Sequence, residues 1–136
     1  MGLQFEVTSG EWLRDVDAIR VARYLYKGIV FANLLFLELH PNFPRLYQSG
    51  VVYKFAGTTE MVTMDVVFER GWGSCGHLSA WRAAELIHYG EAPEADLAYW
   101  LQDARTDLYH VLVRLYGRDG SDGVYEDPSA LLGMQV

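Results

Sequence analysis

Gly71-Trp72-Gly73-Ser74-Cys75-Gly76-His77-Leu78-Ser79-Ala80-Trp81-Arg82-Ala83-Ala84-Glu85-Leu86 decides how this chain is read. A glycine-broken approach delivers the only cysteine onto the first turn of a helix. Gly76, Ala80, Ala83, Ala84 and Ile87 recur at helical spacing, and their small side chains let the backbone lie close against a sheet. Gly90 is the natural stop. Unpaired N–H groups at a helix start stabilise a thiolate and can also receive an oxyanion.

Downstream, residues 95–101 fit either helix or strand, and 102–107 reads as a hairpin loop. Tyr109 to Tyr116 is rich in Val, Leu and aromatics and reads as a strand. A glycine- and aspartate-rich turn covers 117–123, and Val124 to Asp127 is a short last strand stopped by Pro128. Upstream, 51–55 and Met61 to Phe68 read as extended segments. His40-Pro41-Asn42-Phe43-Pro44 ends a long first helix over 15–39, with residues 1–14 as a tail or short strand before it. Ala18, Val21, Ala22, Leu25, Ile29, Ala32, Leu35, Phe36 and Leu39 form the expected apolar stripe of that helix. From Ile29 to Leu37 only Asn33 is polar, which predicts burial on most sides or a face shared with another copy or protein through residues 28–39.

The chain of 136 residues suits one α+β domain: the long helix, then a cysteine helix packed on a small antiparallel sheet. At 51% hydrophobic residues it can fill a core. A formal charge of −7 argues against gripping nucleic acid or an anionic membrane, and the apolar run is too short to span a bilayer. One cysteine excludes an internal disulfide, and the N-terminus lacks the form of a signal peptide, so a reducing compartment is expected. Neither metal-ligand spacing nor a phosphate-cradling lysine loop is visible, so no metal or cofactor is expected.

Cys75, His110 and Asp127 then stand out as a nucleophile, a base and an orienting carboxylate. The imidazole takes the thiol proton, and the carboxylate fixes the ring and supports its charged form. If 109–116 pairs with 124–127, His110 and Asp127 fall at the same end of the sheet. Other readings compete. A lone cysteine is commonly an inert buried hydrophobe, and Asp127 equally suits a turn or a helix cap before Pro128-Ser129. His77 reads as a first-turn surface residue, while His40 and His88 read as residues favoured by helix C-terminal dipoles. Trp72, Ser74 and Gly76 are the candidates for lining the cleft or shaping an oxyanion site.

Gly73 to Leu86, Tyr109-His110-Val111-Leu112-Val113-Arg114, Glu126-Asp127-Pro128-Ser129 and Leu132-Gly133-Met134 together resemble transglutaminase-like cysteine proteins of tailed bacteriophages and prophages. His40-Pro41, Leu46-Tyr47 and Ser49-Gly50-Val51-Val52-Tyr53 are similar as well, so the resemblance covers about 38–134. It implies a papain-like fold, a strand over 95–101, and Cys75, His110 and Asp127 as catalytic residues in a core over 71–134. It also implies a protein or peptide substrate, or other virion proteins as partners, met in the host cytoplasm during assembly or in the virion. Two departures stand out: Ser74 replaces the acidic residue frequent before the cysteine, and no upstream glutamine offers an oxyanion donor. Backbone amides at Cys75 or the Trp72 indole would then carry that role.

Overall fold

A computed structural model describes residues 8–13, 15–55, 60–103, 108–117 and 123–135. Most of the expected N-terminal tail and of the turn at 117–123 lies outside them, as do residues 104–107 of the expected hairpin loop.

Helix α1 spans Asp15–Leu39, as its sequence predicts. It stops before the first proline, where the His40 N–H donates to the Phe36 carbonyl at 2.9 Å and the His40 ring Nδ1 lies 3.0 Å from the same oxygen. Its buried face differs from the expected stripe. Tyr26, Val30, Asn33 and Leu37 are buried, whereas Phe31, Leu35 and Leu39 are 60%, 56% and 67% exposed. The difference has a polar cause. Asn33 turns inward to accept the Met64 N–H at 2.9 Å, and Tyr26 turns inward onto the cysteine helix. Burying both rotates the apolar residues beside them toward solvent, so burial on most sides does not hold.

After a single 3-10 turn at Leu46–Gln48 comes β1 (Val52–Tyr53), then α2 (Met64–Arg70), then β2 (Trp72–Gly73), which pairs parallel with β1. The extended segment expected over 61–68 is thus helical from Met64 onward. Thr63 takes the extended N-cap conformation, Asp65 and Arg70 suit the two ends of the dipole, and Gly71 closes the helix at φ 85°. Met64 and Val67 enter the core three residues apart, a helical interval that β-branched neighbours conceal.

Helix α3 (Cys75–His88) packs against both α1 and the following sheet, with Gly76 to Trp81 and Ala83 to Leu86 all buried. The sheet is antiparallel in the order β3 (Asp96–Asp103), β4 (Leu108–Arg114), β5 (Tyr125–Glu126), and a short α4 (Pro128–Leu131) follows. Of the expected strand over 95–101, residues 96–101 are strand, and Gln102 and Asp103 extend it. Leu97 pairs with Val113 and Tyr99 with Val111, which places these four on one face by alternation. Trp81, Leu78, Leu46, Met64, Val67 and Val113 are fully enclosed. No helix among the described residues is long and apolar enough to cross a membrane.

One buried charge organises the join between α3 and the chain before it. The Glu85 carboxylate has no exposed side-chain surface. It accepts the Leu46 N–H at 2.7 Å, the Trp81 indole N–H at 3.1 Å and an Arg82 N–H at 3.2 Å. Arg45 stands 3.6 Å away. Burial raises the Glu85 pKa, and these donors oppose that rise. Arg82 also donates to Glu126 at 2.6 Å, and the Tyr47 hydroxyl donates to the same oxygen at 2.6 Å. The network ends one residue before Asp127.

Candidate active site

The site is built at the start of α3. Ser74 is its N-cap in extended conformation, and His77 closes a capping box: its Nδ1 accepts the Ser74 N–H at 3.1 Å and lies 3.0 Å from the Ser74 hydroxyl. The other ring nitrogen donates to the Glu60 carbonyl at 2.8 Å, which fixes a neutral tautomer. His77 is 2% exposed, not a surface residue, and burial lowers its pKa first of all. Its part is to hold the loop that presents Cys75. His88 is half-buried and meets Tyr89 edge-on.

Cys75 occupies the first helical position and is half-buried. Backbone pairing of Val113 with Glu126 places Asp127 just past the strand, on the side that His110 also faces. His110 Nε2 and Asp127 Oδ2 are 2.8 Å apart. With that nitrogen committed to the carboxylate, Nδ1 is left for the sulfur. Hydrogen bonding with Cys75, the ring N–H donating toward the sulfur, is the largest influence on the ring; with Asp127 it outweighs burial and raises the His110 pKa from 6.5 to about 9. Asp127 fills both roles that its sequence allowed: Oδ2 meets the imidazole while Oδ1 accepts the Ala130 N–H at 3.3 Å and caps α4. Sulfur, imidazole and carboxylate thus converge from three separated parts of the chain.

The three cleft candidates fare differently. Ser74 is the cap just described. Trp72 is half-buried, with the Arg70 guanidinium 3.6 Å and the Lys54 ammonium 5.1 Å from its ring, so cations cover it. Gly76 lines no open cleft. A Cβ there would stand 2.3 Å from the Tyr26 ring and 2.5 Å from its hydroxyl oxygen. Glycine at this position lets α1 lay a tyrosine directly on the nucleophile's turn.

That contact introduces residues which sequence reasoning missed. Tyr26 from α1, Tyr53 from β1 and Tyr99 from β3 all lie within electrostatic reach of Cys75. Burial first, then the charge of Cys75, pushes the Tyr26 phenol up to about 12. The same two causes raise Tyr53; burial and Tyr26 lead at Tyr99. All three remain hydrogen-bond donors at neutral pH. Only Gly76 hinted at them, as a first-turn glycine that nothing in the local sequence requires.

The class defined here is a thiol–imidazole–carboxylate centre at a helix N-terminus, on an α+β scaffold with a three-stranded antiparallel sheet. No protein-family model, curated protein or solved structure matches the chain, so its chemistry has to be read from this geometry.

Proposed function

We propose that the chain is a thiol acyl-transfer protein of the transglutaminase-like, papain-like type, of the kind encoded by tailed bacteriophages and prophages. The observation that carries this reading is the shared imidazole: His110 meets Asp127 through Nε2 and Cys75 on its other side. An imidazole that keeps its proton to about pH 9 sets a positive charge beside the sulfur, the setting in which thiols are nucleophilic. Cys75 Sγ attacks a peptide or amide carbonyl, forming a C–S bond and a tetrahedral oxyanion. His110 passes its Nδ1 proton to the leaving nitrogen, and the C–N bond breaks to leave a thioester. Water or a second amine then attacks the thioester, His110 takes its proton, and the thiolate departs. Asp127 holds the ring and supports its charge throughout.

Virion proteins and cell-wall peptides are the substrates this class of protein suggests. The test is intact-mass spectrometry after acid quenching, with a peptidoglycan stem-peptide pool and a digest of virion proteins as acyl donors. A hydroxylamine-labile adduct on Cys75, absent from Cys75→Ala, is expected. Turnover should decline as pH rises through about 9, because the leaving nitrogen needs the imidazolium proton. No adduct from either pool would contradict the reading.

A second reading is favoured by the outward apolar row Phe31, Leu35 and Leu39 on α1. There the chain is a catalytically silent structural or assembly protein of a neck, tail or baseplate, docking through residues 28–39 to virion proteins or to its own copies. An adduct-free protein whose Leu35→Glu variant loses assembly would establish that reading instead.

A further inference from the structure

A cavity of about 360 Å³ lies between α1 and β3, the edge strand of the sheet. Arg20, Arg23 and Lys27 line one wall, and Asp96, Leu97 and Tyr99 the other. This concentration of cations is unexpected in a chain of net charge −7. The single carboxylate of the wall is already engaged: Asp96 accepts the Leu97 N–H at 2.8 Å and faces an Arg114 nitrogen at 3.7 Å. Arg20 reaches Asp17 only at 3.9 Å from a largely exposed position. Among the described residues, neither Arg23 nor Lys27 makes an ion pair.

Tyr99 ties the cavity to α1 through its ring. The Arg23 guanidinium lies 4.9 Å from its ring. The cavity lies close to the nucleophile's turn: Arg23 and Lys27 flank Tyr26 on α1, and a Cβ at Gly76 would stand 2.3 Å from the Tyr26 ring. Arginine and lysine side chains without carboxylate partners, gathered at one cavity, call for an anion.

We propose that the cavity binds a carboxylate of the acyl donor, so that Cys75 acts on acidic peptides, with Arg23 and Lys27 taking the charge. The volume is at the small end of ligand sites, about 300–1,000 Å³, and fits one or two residues rather than a long polyanion. The substrate class rests on the acyl-transfer reading, whereas the anion site itself does not.

The two are separated by measuring binding on full-length Cys75→Ala, which cannot turn over. By calorimetry, a triglutamate peptide should bind at least about tenfold more tightly than triglutamine, and the exposed-side-chain variant Arg23→Gln/Lys27→Gln should lose about that factor. High salt should weaken the same interaction. Equal affinity for both peptides, or no loss in the double variant, overturns the site. Tighter binding of an oligothymidylate than of triglutamate would assign the surface to nucleic acid and also overturns it. Thioester formation on wild-type Cys75 from neutral donors as readily as from acidic ones would remove the substrate assignment while leaving the thiol chemistry intact. Triglutamate binding without any thioester would sink acyl transfer, and the substrate class with it.

Discussion

Alkylation of Cys75 by iodoacetamide at about pH 6 is expected to fall by about 10–100-fold when His110 is replaced by alanine. A free thiol with a pKa near 8.5 is ionised to only about 0.3% at that pH. The imidazole of His110 holds its proton to about pH 9, and a positive charge beside a sulfur favours its reactive form. Because a less basic sulfur is also a weaker nucleophile, the expected gain is limited to about 10–100-fold. Wild-type protein should therefore alkylate faster than an unstructured cysteine peptide, and His110→Ala no faster than that peptide. Circular dichroism on the variant separates loss of the partner from loss of the fold. Equal rates in wild type and variant would show that the imidazole does not act on the sulfur.

The largest effect on stability is expected at Glu85. Replacing it with alanine leaves the Leu46 N–H, the Trp81 indole N–H and the Arg82 guanidinium without their shared acceptor. Breaking a buried ion pair from one side costs about 3–5 kcal/mol, a large share of the roughly 5–15 kcal/mol that holds a domain together. Urea unfolding should register this as a lower midpoint with little change in slope. Glu85→Gln keeps acceptor and donors in place and should lose less. A change below about 1 kcal/mol for the alanine variant would mean that the charges are solvated and the network is incidental. Arg82 carries the consequence toward the site, because it also holds Glu126 beside Asp127.

The elements that were legible in the sequence are those whose signals are local. The cysteine helix announced itself through its alanines, β4 through its Val and Leu run, and the end of α1 through Pro41. Helix α2 was misread because Val62, Val66 and Val67 look strand-like, although Thr63 and Gly71 already bracketed a helix. The face of α1 differs from the apolar stripe because Tyr26 and Asn33, which lie outside that stripe, turn inward. What buries them is a distant N–H and a glycine on another helix. Glu85 was unreadable for the same reason, since its partners come from Arg45 and Leu46 far upstream. At the site, Cys75, His110 and Asp127 could be proposed from residue type and order. The tyrosines could not, because only tertiary packing brings them to the sulfur.

Cys75 and Asp127 act together on one imidazole, and NMR observation of the His110 ring across pH tests this most directly. The account predicts a midpoint near 9 in the wild-type protein, and a fall toward the ordinary value when Cys75 is replaced by alanine. A midpoint near 6.5 in wild type, unmoved by that replacement, would contradict it.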